Sequence, residues 1–406
     1  IRDAQESRGL GDVYKRQVQN SLLSLRGCRM RGFNINQFEK RTLKAQQLMQ
    51  HHGLDALLLT TETNVRYFTG FLTRFWESPT RPWYLIIPPK GGPIAVIPSI
   101  GEALMSKTWV EDIRTWPSPD LKDDGISLLS DTLEEIAKNK NIGIPSGTET
   151  YVRMPQTDLK KLSQNVKLTS DFDIVKKLRM TKSNEEIDKI EKACRIAEDA
   201  FRRVPEIAFE NVNLDEVFRK FQMLCLEAGA DWVPYLAGGA DTEGYDDVIS
   251  PAKVAPLKKR DILMLDTGLV WDGYFCDYDR NWSVGPPSKI VSAAYSQLLE
   301  ASDAAFEIAK PGATASDLFH AMNSILTQNS SGTDAGRLGH GVGMSLTEWP
   351  SLIPDDHTVL EKGMVLSLEP GITLNDRIIV HEENIEITET GARYLSSKAE
   401  KDLPVI

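Results

Sequence analysis

Apolar residues recur in the N-terminal third of the chain in two patterns, one typical of a helix and one of short buried strands. From Asn36 to His52 they fall on one helical face, and Gly53 is the expected end of that helix. Strand and helix patterns then alternate, which predicts an α/β domain with a mixed sheet. The predicted strands are Ala56–Thr60, Tyr84–Pro88, Ile94–Pro98 and Asn141–Pro145.

The pattern changes near Ser170, where longer amphipathic helices begin. Ser183 and Glu186 have capping-box spacing, and apolar residues then recur every three or four positions. External helices and an internal antiparallel sheet predict an α+β C-terminal domain. The other predicted elements here are helices over Leu214–Ala228, from Lys289 to about Lys310 and from near Ser316, and strands at Val365–Leu368, Ile378–His381 and Ile385–Thr388.

A β-hairpin is predicted over residues 261–285. Two apolar-rich runs flank Asp272-Gly273, a two-residue turn sequence in which both residues adopt positive φ. This turn fixes the register, so that Asp266 faces Asp279 and Gly268 faces a third aspartate, Asp277.

The three aspartates of this hairpin therefore project from one face. A solvated acidic surface would explain them, but their neighbours Leu263, Leu265, Phe275 and Trp282 are apolar. Buried carboxylates that lack a partner cost several kcal/mol or take up a proton. The apolar surroundings favour a bound cation.

Length and composition narrow the class of protein. A chain of 406 residues predicts two domains, and a net charge of −11 without a basic stripe argues against a nucleic-acid partner. No apolar run approaches the ~20 residues of a membrane span. The four cysteines have no paired spacing and are expected to be reduced thiols of a cytoplasmic protein.

The expected domain organisation has three parts. Residues 1–29 show no periodicity and no signal-peptide core, and we expect them to be a non-native or disordered leader, with the natural start at Met30. Residues 30–170 form the α/β domain, and residues 171–406 form the α+β domain.

Three motifs downstream of the hairpin carry further candidate ligands. His340 lies among the glycines of Leu338–Gly343, Glu369 ends an apolar run before Pro-Gly, and Glu382 and Glu383 follow His381. Imidazole and carboxylate groups are metal ligands, but each motif is weak evidence alone.

In this order the motifs resemble the creatinase/aminopeptidase P/prolidase family of metallopeptidases, family M24. The resemblance extends from about Phe33 to Leu395 and implies a pita-bread catalytic domain with a smaller creatinase-like N-terminal α/β domain. The family's ligand order is Asp, Asp eleven residues on, His in GHG, Glu in EPG and Glu on the last strand. The matching residues are Asp266, Asp277, His340, Glu369 and Glu382.

The resemblance also implies a chemistry. Two divalent ions (Mn²⁺, Co²⁺, Fe²⁺ or Zn²⁺) would activate a water that cleaves an amide in a small peptide, as in Xaa-Pro peptidases. It implies a homodimer in which the N-terminal domain closes over the neighbour's site. The candidate catalytic residues are Glu369, Asp279 and His340. The candidate substrate contacts are Thr347, Glu348 and, from the loop-like residues 64–83, Arg74 and Trp76, which we expect to be exposed.

Three departures from the family pattern leave alternatives open. Thr347 replaces a second histidine seven residues after His340, no histidine lies between Leu224 and Asp266, and Asp279 replaces a threonine. His357 or His381 is a candidate substitute. The alternatives are a small-molecule hydrolase (ectoine hydrolase-like or creatinase-like), a dimethylsulfoniopropionate lyase with Asp279 as base, and an inactive binding module.

Overall fold

The computed structural model describes residues 31–406 except 79–80, 140 and 329–335. The predicted leader, residues 1–29, lies outside the described residues. Among the helices described, none combines the length and the apolar character that a membrane crossing requires.

The N-terminal part runs to Met180. Its described α-helices are Ile35–His52 (α1), Glu62–Thr69 (α2), Glu102–Met105 (α3), Ile126–Ile136 (α4), Gln156–Asn165 (α5) and Ile174–Met180 (α6). Its strands are Ala56–Leu59 (β1), Tyr84–Ile87 (β2), Ile94–Pro98 (β3), Asp112–Trp116 (β4), Asn141–Ile144 (β5) and Lys167–Ser170 (β6).

These six strands form one mixed sheet in the order β4-β3-β2-β1-β5-β6. The β1–β2 and β2–β3 pairs are antiparallel and the other three pairs are parallel, as the alternation of strands and helices predicts. Both faces are covered: Leu57 and Leu59 pack into the core beside α1, whereas Leu58 packs towards α4. Burial on both faces explains why these strands are continuously apolar.

The C-terminal part begins with the capping box of Ser183 and Glu186. Its described α-helices are Asn184–Phe201 (α7), Leu214–Glu227 (α8), Lys289–Ile308 (α9) and Ala315–Leu326 (α10). Its strands are Trp232–Thr242 (β7), Asp261–Trp271 (β8), Tyr274–Phe275 (β9), Tyr278–Ser283 (β10), His340–Gly341 (β11), Glu348–Ser351 (β12), Val365–Leu368 (β13), Gly371–Leu374 (β14), Arg377–Val380 (β15), Glu383–Ile387 (β16) and Ala392–Tyr394 (β17).

Two larger sheets form the inside of this part. One has the order β10-β8-β7 with β9 against β8, and the other has the order β12-β11-β13-β16-β17. Strand β8 separates two cores: Leu263 and Leu265 face the side of α7 and α8, and Ile262 and Met264 face the side of α9 and α10. By the same alternation, Asp266 points the same way as Ile262 and Met264.

Two segments differ from the sequence predictions. The start of the loop-like residues 64–83 is helix α2, which ends at Gly70 in the left-handed region (φ 76°), and its inner face is buried in the core. Strand β7 was not predicted, because Gly238 and Gly239 interrupt its apolar pattern. Nevertheless, β7 pairs along nearly the whole length of β8.

Candidate metal centre

The predicted hairpin is confirmed in its register. Asp272 and Gly273 both have positive φ (45° and 80°), as the turn requires. Asp279 pairs with Asp266 across β8 and β10. The turn sequence alone therefore fixes which carboxylates meet.

Four predicted ligands lie together at one point between the two sheets. One ligand atom from each of Asp277, His340, Glu369 and Glu382 lies within 4.8 Å of the others. His340 Nε2 lies 2.9 Å from Glu369 Oε1 and 3.3 Å from Asp277 Oδ2. Residues from four separate motifs therefore form one cluster that could hold a metal ion.

Close backbone packing around His340 fixes the direction of its ring. A Cβ atom on Gly341 would lie 2.0 Å from the Trp349 carbonyl oxygen, and one on Gly339 would lie 2.2 Å from that of Ser367. The ring Nδ1 lies 2.8 Å from the Gly341 carbonyl oxygen, to which it donates. Nε2 is thereby left to face the carboxylates, the orientation in which a histidine binds metal.

The last carboxylate of the cluster is Glu382, as the sequence predicted, and not Glu383. Ser367 Oγ lies 2.5 Å from Glu382 Oε1 and also contacts Glu369 Oε1, so one hydroxyl joins two of the candidate ligands. Glu383 points away, and its carboxylate pairs with Arg280 Nη2 at 3.0 Å. Adjacent residues of an extended chain face opposite sides, which explains the difference.

Asp266 lines the same cavity but lies outside the four-residue cluster. Its Oδ1 is buried and has no hydrogen-bond partner among the described residues. Burial, followed by the charges of Asp277 and Asp279, raises its pKa well above the usual value. A buried oxygen without a donor beside other carboxylates is an environment that a cation stabilises, so these residues fit divalent metal.

Asp279 reaches the cavity from β10. Its Oδ1 accepts a hydrogen bond of 2.9 Å from the backbone N–H of Glu382, and burial raises its pKa well above the usual value. The backbone contact holds the carboxylate beside the strand that carries Glu382. The structure therefore brings this sequence-predicted catalytic candidate to the cluster.

The charges of the cluster are strongly coupled. Burial raises the pKa of Asp277 to about 6, although His340 opposes that shift. Burial alone would lower the pKa of His340, but Glu369 and Asp277 outweigh it and raise that pKa to about 10. Burial opposes ionisation of Glu369 too, yet His340 and Ser367 lower its pKa to about 2. The protein without metal therefore holds a proton on His340, which a metal ion would displace.

The cluster forms the floor of a cavity of about 570 Å³. Its walls are mostly apolar, with Val248, Ile249, Leu346, Ile372 and Ile378 among them. Arg337 and Thr347 contribute polar groups to the lining. An apolar cavity with a few polar groups at one end is typical of a small-molecule site.

The predicted substrate contacts divide into two groups. Thr347 lines the cavity, and its Oγ1 lies 3.5 Å from His340 Nε2. Glu348 does not line it, because its buried carboxylate pairs with Arg179 and with Lys182 Nζ at 3.3 Å.

The two candidates from the N-terminal part also lie outside this cavity. Arg74 is exposed, and its guanidinium carbon lies 3.4 Å from the centre of the Trp232 ring. Trp76 was predicted to be exposed, which is wrong: it is buried beside Trp83, with ring centres 5.8 Å apart.

Of the two substitute histidines, only His381 reaches the cavity. Burial and Arg280 lower its pKa to about 3, so it is neutral at pH 7. His357 is exposed and does not line the cavity.

Sequence reasoning missed two cavity residues. Burial raises the pKa of the Tyr235 phenol, and the nearby carboxylate of Asp266 raises that pKa further. Arg337 stands three residues before His340. Proximity to the glycine-rich motif would have singled out Arg337, but Tyr235 lies on the unpredicted strand β7.

Comparison with known families gives two matches. The model of "Metallopeptidase family M24" matches residues 188–389, and that of the "Creatinase/Prolidase N-terminal domain" matches residues 41–181. The chain is 31% identical over 371 residues to the Xaa-Pro dipeptidase of Pyrococcus furiosus, covering 90% of this chain and 99% of the relative.

Solved structures agree with these matches. The prolidase from Pyrococcus horikoshii superposes with a TM-score of 0.77 at 27% identity, covering 90% of this chain and 99% of that one. The dipeptidase PepE from Mycobacterium ulcerans gives 0.78 at 26% identity, with 92% and 99% covered. The predicted fold is confirmed: a pita-bread catalytic domain follows a creatinase-like N-terminal domain.

Proposed function

This chain belongs to metallopeptidase family M24 and is a metallohydrolase, and we propose that it hydrolyses the amide bond of Xaa-Pro dipeptides. The observation that carries the proposal is the cluster of carboxylates and one imidazole on the floor of a cavity of about 570 Å³. Relatives named Xaa-Pro dipeptidase and prolidase support the substrate class.

We assign the metal centre to five residues, and propose that it holds two divalent ions. The carboxylate oxygens and the single imidazole of these five residues suit Mn²⁺, Co²⁺, Fe²⁺ or Zn²⁺. When bound, such ions polarise a carbonyl group and lower the pKa of a water molecule towards neutrality. The residues are Asp266, Asp277, His340, Glu369 and Glu382.

Glu369 is the group that we assign to proton transfer. Its side chain is 25% exposed to the cavity, whereas those of His340 and Asp277 are 4% and 5% exposed. A carboxylate that is ionised at neutral pH can accept a proton from the attacking water. It would then deliver that proton to the departing amine.

The other residues of the site position these groups. Ser367 holds two of the carboxylates through one hydroxyl, and the Gly341 carbonyl fixes the orientation of the His340 ring. Thr347 offers a hydroxyl next to His340 where the sequence comparison with the family expects a histidine. The apolar walls at Ile372 and Ile378 suit the ring of a proline residue.

A second candidate function is hydrolysis of an amide in a small non-peptide metabolite. Two observations favour it. The position of the family's second histidine is Thr347, and the fifth carboxylate, Asp279, lies in the cavity beside Glu382.

The homodimer and the cytoplasmic location remain predictions from the sequence.

The test combines metal content with a substrate comparison. Protein purified from Met30 onward, without added ions, is expected to contain about two transition-metal ions per chain. It should hydrolyse Ala-Pro, lose that activity with a chelator and recover it with Mn²⁺ or Co²⁺. Turnover of small cyclic or methylated amides without peptide hydrolysis would select the second function, and absence of metal after reconstitution would refute both.

A further inference from the structure

The loop between β11 and β12, residues 342–347, forms one wall of the metal cavity. Leu346 and Thr347 line the cavity, and Thr347 Oγ1 lies 3.5 Å from His340 Nε2. Leu346 packs so closely on β8 that a Cβ atom on Gly268 would lie 2.0 Å from its Cδ1. The position of the β11–β12 loop therefore sets the shape of the cavity next to the metal cluster.

Glu348 holds this loop from outside the metal cavity. Its Oε1 accepts hydrogen bonds from the backbone N–H groups of Met344 at 2.9 Å and of Ser345 at 3.0 Å. Gly343 has no side chain to obstruct this arrangement, since a Cβ atom there would lie 2.6 Å from Glu348 Oε2. One carboxylate thus fixes the course of the chain that leads to Leu346.

Two buried cations hold the Glu348 carboxylate in turn. Arg179 of α6 pairs with Glu348 and donates to Ser345 Oγ at 3.1 Å. The other end of its guanidinium donates to Asn64 Oδ1 at 2.8 Å, within the N-terminal part. Lys182 Nζ lies 3.3 Å from Glu348 Oε2. Burial would raise the pKa of Glu348, but Arg179 and Lys182 outweigh it and lower that pKa, so the carboxylate is ionised.

We propose that Glu348 is a positioning residue through which the N-terminal part holds the β11–β12 loop in its substrate-binding position. The inference rests on the proposed function, because it concerns affinity for the substrate in the metal cavity. Glu348 does not line that cavity, so it acts through Leu346 and Thr347. When only a fraction of the molecules holds a loop in the competent position, affinity falls by that fraction, whereas bound substrate restores the position. Loss of the hold should therefore raise KM and leave kcat nearly unchanged.

The first measurement is steady-state hydrolysis of Ala-Pro by Mn²⁺-loaded Glu348→Met protein. KM should rise about tenfold if about one molecule in ten keeps the loop in place, and kcat should stay within about twofold. Metal content should equal that of the wild type, because Glu348 is not among the residues assigned to the metal centre.

A double variant keeps the test independent of folding. Glu348→Met alone leaves buried cations without their partner, whereas Arg179→Met combined with Glu348→Met replaces the ion pair by apolar groups. The double variant should regain stability in urea relative to Glu348→Met. It should still show the raised KM, because the backbone N–H groups of Met344 and Ser345 lack their acceptor. Arg179→Lys keeps the charge and loses the planar fork, so its KM should lie between those of the wild type and the double variant.

Arg41→Met is the matched control. Arg41 is another buried arginine of the N-terminal part, and it pairs at 3.2 Å with a buried glutamate of the C-terminal part, Glu186. This pair joins α1 to α7 rather than to the β11–β12 loop. Its loss should lower stability in urea and leave KM for Ala-Pro unchanged.

Hydrogen exchange measures the order of the loop independently of catalysis. In the double variant, the backbone amides of Met344 and Ser345 should exchange at least about tenfold faster than in the wild type, whereas Arg41→Met should leave their rates unchanged. If the wild-type protein hydrolyses no dipeptide, the proposed function fails. The exchange rates still decide whether Glu348 holds the loop.

Other outcomes would overturn the inference. Unchanged exchange at both amides would show that the carboxylate does not hold the loop. A fall in kcat with KM unchanged would assign Glu348 to the chemical step, and loss of metal would make it a support of the metal centre. An equal rise of KM in Arg41→Met would reduce the effect to a general loss of stability.

Discussion

Replacement of Asp266 by asparagine should have opposite effects on the protein with and without metal. In the absence of metal, the buried Asp266 carboxyl has an oxygen without a partner and a pKa raised by burial and by neighbouring carboxylates. Asparagine has nearly the same shape and no charge. The metal-free variant should therefore be more stable than the metal-free wild type.

The size of this effect follows from proton linkage. A carboxyl that must hold a proton in the folded state costs about 1.4 kcal/mol for each pH unit above its unfolded pKa. With an unfolded value of 3.8, the cost at pH 7 is at most about 4 kcal/mol. An imperfectly bonded amide gives back about 1 to 2 kcal/mol, so the net gain is at most about 2 to 3 kcal/mol.

The assay is urea unfolding of chelator-treated protein at pH 7, together with calorimetric titration of Mn²⁺. Asp266→Asn should unfold at higher urea and bind less metal than the wild type. Asp261→Asn is the matched control on the same strand, because Asp261 is buried but bonded to Thr242 Oγ1 and to the Lys258 N–H at 3.1 and 2.8 Å. It should lose stability and keep metal binding.

The reasoning is refuted if Asp266→Asn destabilises the metal-free protein as Asp261→Asn does. It is equally refuted if the variant binds metal with wild-type stoichiometry and affinity. Either result would mean that Oδ1 of Asp266 is not a metal ligand.

Three further predictions concern the same site. Glu369→Gln should lower kcat at least about 100-fold while the circular dichroism spectrum stays unchanged, and full activity would exclude proton transfer by Glu369. Thr347→His places an imidazole beside His340 and should raise kcat on Xaa-Pro substrates about tenfold in steady-state assays; an unchanged rate would show that the lost histidine does not set the substrate class. The free energy of unfolding of the metal-free protein, measured in urea, should fall between pH 7 and 8.5. The expected slope is about 1.4 kcal/mol per pH unit for each proton that the folded protein holds and the unfolded protein does not. The sign follows from His340, whose pKa rises from 6.5 unfolded to about 10 folded, so that its contribution is complete below 6.5 and is lost towards 10. Metal-loaded protein should show a flatter dependence, and identical slopes would contradict the coupling.

Local rules were sufficient for much of the site. The Asp272-Gly273 turn and the period of two in a strand place Asp266 opposite Asp279 without any tertiary information. The helix start at Ser183 follows from its capping box, which depends only on neighbouring residues. Alternation also places Glu382 and Glu383 on opposite sides of an extended chain, and the resemblance to the family selects Glu382 as the ligand.

Contacts between distant segments could not be predicted from the sequence. Thr347 and Glu348 are adjacent, yet one lines the cavity and the other pairs with Arg179 from the N-terminal part. Trp76 has the aromatic character of a binding residue, but the fold buries it beside Trp83. Neither outcome depends on local pattern, because each is set by the partner that another element supplies.

The sequence by itself determined the two-domain class and the hairpin register, since these rest on periodicity and turn geometry along the chain, whereas the candidate ligands follow from the resemblance of its motifs to the family. Only the tertiary structure decided that His340 and the carboxylates converge, that Oδ1 of Asp266 has no hydrogen-bond partner among the described residues and that Arg337 faces the same cavity. These facts depend on two sheets packing against each other, and the contacts between them join residues far apart in the chain.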